Sequence, residues 1–296
     1  MSRDWEAVFN TWAQPPSRTE QAKADNAETA IRKAITSSSH VAGRSITVLP
    51  QGSYRNRTTV RQESDVDICV MCTESIFFDI PEGATPADFG ISVPASYPYP
   101  QFKNDVHSAL VSYFGQNAVT YGRKAFDIHE NTYRVDADVL PAFRYKRYHA
   151  DRSYLSGVAF ISDGGPRIVN WPDQNYENGV AKNDRTGRRF KAVVRIMKHL
   201  RNEMEGNGIQ AARPVPSYLL ECLVWNVPDE RLVLRTYKDT TRSVIVHLFN
   251  NTIKEDTCSE WGEINELKYL FRSSQPWTRL HANAFLDEAW SYVGYE

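Results

Sequence analysis

Two aspartates, Asp65 and Asp67, stand one residue apart at the start of an otherwise apolar stretch. If this stretch is a β-strand, its side chains alternate between faces, so both carboxylates share one face. Val66 and Ile68 then share the opposite face, which suits a hydrophobic core. Two like charges this close repel each other unless a cation compensates, and a hard divalent metal with oxygen ligands does so. Asp-x-Asp pairs are also common on solvated edge strands, so the surrounding sequence must decide.

A second acidic segment repeats the pattern farther along the chain. Within residues 133–143, Asp136 and Asp138 fall on one face of a predicted strand. If this strand is a neighbour of the first, three or four carboxylates converge, which suits two-metal phosphoryl or nucleotidyl transfer. The alternative is that two unrelated strands each carry acids.

A Gly-Ser pair precedes the first acidic strand. Gly52 allows a close approach of the backbone, Ser53 supplies a hydroxyl, and the amides of the turn can hold a phosphate. Gly-Ser alone carries almost no information. Followed by Asp-x-Asp at the start of a strand and by an aspartate on a later strand, it becomes far more specific and favours transfer chemistry.

Length and composition indicate an ordinary globular protein. The 296 residues are 41% hydrophobic and 24% charged, and the formal net charge is −1, which argues against strong nucleic-acid binding. No apolar run approaches the ~18 residues of a bilayer span, and the segment MSRDWEAVFNTW does not have the composition of a signal peptide. We therefore expect a cytoplasmic protein without a membrane partner. A lone CxxC completes no zinc site, so we expect reduced, packed cysteines at Cys69, Cys72, Cys222 and Cys258.

Strand patterns concentrate in the first half of the chain and helical patterns in the second. Ser17-Arg-Thr-Glu20 is a capping box that opens a long helix to about Thr36. The other predicted strands and helices fall at residues 46–49, 65–71, 101–114, 118–121, 125–128, 133–140, 188–202, 217–225, 244–250 and 280–292. Beyond Pro141 the character of the chain changes: aromatic and basic residues mix through Tyr154, and residues 163–166 are a turn. The pattern predicts an α+β fold, in which a mixed-sheet lobe precedes a helical lobe.

Together these motifs resemble those of the polymerase-β-like nucleotidyltransferases. Within them, the bacterial cGAS/DncV-like enzymes called CD-NTases are most similar, and the compact CdnE type looks nearest. The third-acid strand of oligoadenylate synthetases also resembles residues 138–143. The motifs that carry the resemblance are Gly52-Ser53, Ser64-Asp65-Val66-Asp67, Val135-Asp136-Ala137-Asp138-Val139-Leu140-Pro141, Asn170-Trp-Pro172, Asn178-Gly179, Ala181-Lys-Asn183, Thr186, Phe190-Lys191 and Val194-Arg-Ile-Met-Lys198.

The resemblance implies a polymerase-β-like nucleotidyltransferase fold with its active site between two lobes. Residues 1–165 would form the catalytic lobe, with a long N-terminal helix bracing both lobes, and residues 166–296 would form the helical lobe. The implied activity is Mg²⁺-dependent, with Mn²⁺ as an alternative. It joins nucleoside triphosphates into a cyclic di- or trinucleotide second messenger of anti-phage (CBASS) signalling. A downstream effector would then recognise the product. The enzyme itself would be a monomer.

The resemblance also assigns roles to individual residues. Asp65, Asp67 and Asp138 would hold the metals, and Asp138 would help deprotonate the attacking ribose hydroxyl, while its neighbour Asp136 has no assigned role. Gly52, Ser53, Lys198 and Ser217 would grip the donor triphosphate, and Tyr218 would stack on a base. Local alternatives stay open: Ser217 suits a helix N-cap, and the basic stripe of Lys191, Arg195, Lys198 and Asn202 suits a solvated helix face.

Two other functions compete with this interpretation. A linear nucleotidyltransferase of the oligoadenylate or RNA-tailing type would need a broad basic surface, which the net charge does not favour. A nucleotide-binding module with a decayed site would not retain the complete set of acids. Base choice is a further hypothesis: in CdnE-like enzymes an asparagine lining the acceptor pocket favours uracil. Asn170, Asn175 and Asn178 are the candidates, and each is equally suited to capping a turn or helix.

Overall fold

A computed structural model describes residues 3–60, 65–92 and 95–295; Ser64 of the quoted motif lies outside them. The strands are β1 (Ile46–Pro50), β2 (Val66–Asp79), β3 (Val119–Tyr121), β4 (Phe126–Ile128), β5 (Ala137–Tyr148), β6 (Tyr154–Ile161) and β7 (Arg167–Asn170). The α-helices are α1 (Trp5–Trp12), α2 (Arg18–Thr36), α3 (Gly52–Asn56), α4 (Tyr99–Phe114), α5 (Pro172–Arg185), α6 (Arg189–Gly206), α7 (Ser217–Trp225), α8 (Asp229–Leu232), α9 (Tyr237–Thr252) and α10 (Arg279–Val293). Short 3₁₀ turns lie at Ser39–Val41, Pro86–Phe89, Gln116–Ala118 and Gln210–Ala212.

The described chain divides into two compact units, each with its own hydrophobic core. The sheet unit comprises residues 17–55, 65–92 and 95–172, and the helical unit comprises residues 3–16, 56–60 and 173–295. The predicted α+β class is confirmed. Within the described residues, no helix is long and apolar enough to cross a membrane. All four cysteines are buried free thiols, as predicted.

The sheet unit contains one mixed sheet in the order β1-β2-β5-β4-β3, with β6 paired to β5 and β7 paired to β6. Strands β2 and β5 run parallel and the other pairs are antiparallel. Val66, Ile68, Val70 and Val139 are buried beneath α2 and α4, whose apolar residues complete that core. The capping box at the start of α2 is present as predicted, with Ser17 and Glu20 bonding each other's backbone amides.

Strand β5 corrects the bounds of the strand predicted at residues 133–140. It begins at Ala137, later than predicted, and continues to Tyr148. Pro141 has no N–H to donate, but it lies between the last residue paired with β4, Val139, and the first paired with β6, Phe143. A proline therefore fits at this point, and β6 and β7, which the sequence did not indicate, extend the sheet beyond it.

The boundaries of the two units differ from the predicted boundary at residues 165 and 166. The division falls between Pro172 and Asp173, because β7 still belongs to the sheet. Helix α1, absent from the predicted elements, belongs to the helical unit, where Trp5 and Phe9 are buried in its core. The carboxylate of Glu6 accepts hydrogen bonds from two backbone amides at the start of α9. Bracing of both lobes by the longer helix α2 stays a prediction.

Two cations of α6 hold the backbone of residues 57 and 58 in the helical unit. Arg195 donates to the carbonyl of Arg57 at 2.7 Å and to the carbonyl of Ala13. Lys198, only 1% exposed, donates to the carbonyl of Thr58 at 3.1 Å and to Glu221 Oε1 at 2.6 Å. The Thr58 hydroxyl also donates to Glu221, at 2.9 Å. The interpretation of this stripe as a solvated face is therefore wrong for Arg195 and Lys198.

The buried Lys198–Glu221 pair predicts a specific stability pattern. Lys198→Met leaves the Glu221 carboxylate buried without its cation, and we expect a loss of about 3–5 kcal/mol in the free energy of unfolding. Glu221→Leu added to that variant removes the uncompensated charge and should restore most of the loss. The matched control is Arg32→Met, which breaks the exposed Arg32–Glu28 pair and should cost no more than about 0.5 kcal/mol. Urea unfolding measures all three. A Lys198→Met protein as stable as Arg32→Met would contradict the prediction.

Candidate active site

A row of carboxylates crosses the sheet on one face. Asp67 of β2 and Asp138 of β5 are paired residues on neighbouring parallel strands, so their backbones lie about 4.8 Å apart. Asp127 of β4 is paired with Asp138 from the other side. Paired residues point to the same face, and Val66 and Ile68 occupy the opposite one. The predicted convergence of the two acidic strands is therefore present in the structure.

Asp127 is a site residue that the sequence interpretation missed. Its strand was predicted, and the signal was a single charged side chain between the buried residues Phe126 and Ile128. That alternation fixes which face of the strand Asp127 occupies. Only the antiparallel pairing of β4 with β5 shows that this face is the one that carries Asp138.

The pKa of Asp138 is raised by burial and by the acids that surround it. Burial raises the pKa of Asp138 from its usual range to about 7, a hydrogen bond with Asp127 adds to the rise, and the charges of Asp67, Asp127 and Asp65 add further. Each cause disfavours the ionised carboxylate. A proton thus stabilises the site near neutral pH, in the place where a cation would otherwise compensate the negative charge.

Gly52 gives Asp67 the space that it occupies. The φ angle of Gly52 is +58°, and a Cβ atom there would lie 1.9 Å from Asp67 Oδ2. The amide of Gln51 donates to the carbonyl of Asp67 at 2.8 Å, which joins this turn to β2 through the backbone. Gly52 and Ser53 begin α3, so the predicted Gly-Ser turn is a short helix start packed directly against a candidate metal ligand.

Asp136 has a different environment from Asp138, although both were predicted on one face. It precedes β5, and its carboxylate accepts the backbone N–H of Glu130 at 2.5 Å. Its carbonyl accepts the amide of Val66, which joins the starts of the two acidic strands. Asp136 therefore acts as a support of the loop before β5.

The donor set of this face fits a hard divalent cation. Carboxylate oxygens are the ligands that Mg²⁺ prefers. Burial, together with the neighbouring carboxylates, raises the pKa of Asp138, and a cation would stabilise its ionised form. Across residues 3–60, 65–92 and 95–295, no group of three or more acidic, histidine or cysteine side chains is arranged so that it could hold a metal ion by itself. Mg²⁺ at nucleotide sites is usually held by one or two carboxylates together with substrate phosphates, so a complete protein cage is not required.

The other predicted nucleotide-binding residues, Lys198, Ser217 and Tyr218, lie in the helical unit. Lys198 is committed to Glu221 and to the backbone of Thr58, so its contact with a triphosphate stays a prediction that requires this ion pair to open. The Ser217 hydroxyl accepts a hydrogen bond from Arg201 at 2.7 Å. The N-cap of α7 is Pro216, so the interpretation of Ser217 as an N-cap is wrong.

Tyr218 is half-buried at the start of α7. Its hydroxyl lies 3.1 Å from a carboxylate oxygen of Glu263 and 3.3 Å from Asn175 Oδ1. Burial raises the pKa of Tyr218 well above its usual value, and the charge of Glu263 contributes. The phenol is thus held neutral and fixed at one end, which leaves base stacking by its ring as a prediction.

The chain is similar to known proteins over almost its whole length. Residues 177–294 match the family described as the cGAS/DncV-like nucleotidyltransferase C-terminal helical domain. A cyclic dipyrimidine nucleotide synthase CdnE of Legionella pneumophila is 46% identical over 99% of both chains, and one of Cecembia lonarensis is 39% identical over 100% of both. A solved structure of the Rhodothermus marinus CdnE c-UMP-AMP synthase with Apcpp and Upnpp superposes with a TM-score of 0.85, at 31% identity over 98% of both chains.

The packing of Gly52 against Asp67 predicts a difference between two glycine substitutions. Gly43 and Gly52 both have positive φ angles, but nothing lies within 4 Å of a Cβ atom at Gly43. Gly43→Ala should therefore cost only the backbone strain, about 1 kcal/mol of unfolding free energy. Gly52→Ala should cost about 1–3 kcal/mol more, because the methyl group displaces Asp67. Equal losses in chemical denaturation would contradict this contact.

The raised pKa of Asp138 predicts how stability depends on pH in the protein without divalent cations. Its folded-state pKa of about 7 lies above the ordinary 3.8, so the folded protein holds this proton more tightly than the unfolded chain. The resulting stabilisation is fully present below about pH 4 and is lost as the pH rises through about 7. Melting temperatures in EDTA should show the wild type losing stability relative to Asp138→Asn over this range. A constant difference between the two proteins would contradict the prediction.

Proposed function

The chain belongs to the cGAS/DncV-like nucleotidyltransferases, the CD-NTases, and on that basis we propose that it joins two nucleoside triphosphates into a cyclic dinucleotide, with a pyrimidine in at least one position. The product serves as a second messenger in anti-phage (CBASS) signalling. The observation that carries the proposal is the pairing of Asp67 with Asp138 across parallel strands, in a chain similar along its entire length to two cyclic dipyrimidine nucleotide synthases.

The acids of the sheet unit perform the transfer. Asp65, Asp67 and Asp138 would hold Mg²⁺, or Mn²⁺ in its place, and the metal supplies charge neutralisation at the triphosphate and a more acidic attacking hydroxyl. Asp138 accepts the proton of the ribose hydroxyl. The hydroxyl oxygen forms a bond to the α-phosphorus of the second nucleotide, and the bond from that phosphorus to the pyrophosphate breaks. A second transfer of the same kind, within the linear intermediate, closes the ring and releases a second pyrophosphate.

Residues of the helical unit bind the triphosphate and the base. Lys191 and Arg201 of the basic helix α6 are only partly buried, so they are better suited to contact phosphates than the buried Arg195 or Lys198. Arg201 already holds the hydroxyl of Ser217, which places a cation and a hydroxyl together. Lys198 then acts through the backbone it fixes, as a positioning residue. The ring of Tyr218 stacks on a base.

Among the three candidate asparagines for base selection, we favour Asn170 and Asn175. The Asn178 amide donates to the carbonyl of Ile264 at 2.8 Å, so it has a structural partner. Asn175 lies beside the hydroxyl of Tyr218, and Asn170 ends β7 with its side chain partly exposed. An amide that offers both a donor and an acceptor can read the edge of uracil or cytosine.

The decisive experiment identifies the product. The purified protein is incubated with labelled triphosphates and MgCl₂, treated with phosphatase, and its products are separated. We expect a phosphatase-resistant ring from the wild type and from Asp136→Asn, whose carboxylate supports a loop. Asp138→Asn should lose several orders of magnitude in rate, on the order of the loss when a metal-binding acid is removed. A phosphatase-sensitive ladder would indicate a linear polymerase, and no product from the folded protein would indicate a binding module.

Base selection has a separate test. Products from mixtures of all four triphosphates are compared for the wild type and for Asn170→Ser, Asn175→Ser and Asn178→Ser. We expect the wild type to incorporate a pyrimidine, and we expect a shift toward purines in Asn170→Ser or Asn175→Ser. Asn178→Ser should retain the wild-type preference and lose only stability, because its amide bonds the backbone. An unchanged base preference in all three variants would contradict the hypothesis that these amides select the base.

A further inference from the structure

A cavity of about 860 Å³ opens in the sheet unit where α4 ends. It is lined by α2, by the segment from Tyr113 to Ala118 and by the loop at residues 129–134. None of Asp65, Asp67 and Asp138 lines it. Its size falls within the range of cavities that bind small molecules, about 300–1,000 Å³. It is therefore a candidate ligand site distinct from the carboxylate face.

Arg134 lines this cavity as a buried cation without an anionic partner. The residue is 8% exposed, its Nη2 donates to the carbonyl of His129 at 2.7 Å, and its Cζ lies 4.8 Å from the centre of the Phe114 ring. Its Nε is buried and bonds no acceptor in the part of the chain that the structure describes. Buried guanidinium groups are normally paired with carboxylates or phosphates, because desolvating an uncompensated charge is costly.

The nearest carboxylates do not satisfy this guanidinium. The negative charge of Asp136 favours the charged form of Arg134 and so raises its pKa. The Asp136 carboxylate, however, accepts a hydrogen bond from the amide of Glu130. Among the described residues, no acid lies within ion-pair distance of Arg134. Burial accordingly lowers the pKa of Arg134 from its ordinary value, against the opposing effect of Asp136. The described residues therefore leave the charge of Arg134 without an ion-pair partner.

The rest of the lining defines the chemistry of the missing partner. Tyr113 and Tyr133 line the cavity, and these two residues are 47% and 76% exposed. Exposed rings offer flat apolar surfaces to another planar group. Glu130 also lines the cavity, and its carboxylate repels a second negative charge. One cation, two open rings and one acid together favour a planar ligand of single negative charge over a triphosphate.

We propose that this cavity binds a small planar organic monoanion, whose carboxylate pairs with Arg134 and whose ring packs against Tyr113 and Tyr133. The occupant also contacts a loop that is joined to the catalytic strand. The amide of Glu130 donates to Asp136. Asp136 lies directly before β5 and two residues before Asp138. Binding in the cavity therefore orders the loop that holds Asp136, and it changes the rate of nucleotide transfer without competing with nucleotides.

The binding test uses 2-naphthoate as a planar monoanion and 2-naphthamide as its neutral isostere, each titrated by naphthyl fluorescence without nucleotides. We expect saturable 1:1 binding of naphthoate below about 1 mM and binding of naphthamide at least tenfold weaker, as expected for a lost charge-assisted hydrogen bond. Arg134→Gln should lose at least tenfold in naphthoate affinity, and Arg134→Lys should retain more of it. The matched control is Arg18→Gln, which removes an exposed positive charge at the start of α2 and should bind like the wild type.

A second variant distinguishes a loss of binding from a loss of folding. Tyr133→Ala changes a side chain that is 76% exposed, so it should retain the wild-type melting temperature and still lose naphthoate affinity severalfold. Equal affinity of naphthoate and naphthamide, or full affinity in both Arg134→Gln and Tyr133→Ala, would overturn the site. Because this readout needs no catalysis, its failure is distinguishable from failure of the proposed activity.

The regulatory part has its own measurement. Saturating 2-naphthoate should change the rate of product formation of the wild type at saturating triphosphates and leave the rate of Arg134→Gln unaltered. Reversal of the effect by excess triphosphate would show that naphthoate competes at the nucleotide site, and it would overturn this part of the proposal. An unchanged wild-type rate at full occupancy would do the same.

Discussion

Repulsion among carboxylates on one face of a sheet is the constraint around which the sheet unit is organised. Asp67 and Asp138 are paired on adjacent parallel strands, and Asp127 joins them from the third strand. Their backbone positions are fixed by ladders of hydrogen bonds, so the side chains have little freedom to separate. The raised pKa of Asp138 favours a proton on this carboxylate near neutral pH, which reduces the repulsion locally.

Hydrophobic packing on the opposite face of the same strands offsets the cost of this arrangement in folding free energy. Val66, Ile68 and Val139 are fully or almost fully buried against α2 and α4, so each acidic strand is anchored by an apolar core. Gly52 allows the turn before β2 to pack directly against Asp67, because only a residue without a Cβ atom leaves room for that side chain. A site that places like charges together thus depends on packing that does not involve those charges.

The helical unit uses its basic residues differently from a simple phosphate-binding surface. Arg195 and Lys198 bond the carbonyls of Arg57 and Thr58, and Glu221 neutralises Lys198. These cations hold a short segment of the first half of the chain, residues 56–60, within the helical unit. The segment follows α3, so the chain passes from one unit to the other within a few residues of Gly52. These two basic residues of α6 therefore have a structural role within the helical unit.

The sequence by itself determined the features that depend on local periodicity and on short motifs. Alternation placed Asp67 on the face opposite Val66 and Ile68, a capping box located the start of α2, and ordered motifs indicated the family. Tertiary structure decided which strand lies beside Asp138, which brought in Asp127, and it separated Asp138 from Asp136. It also made Lys198 internal and let β5 continue through Pro141. The reason is physical: alternation is a property of neighbours along the chain, whereas strand pairing and the compensation of a buried charge depend on groups far away in sequence.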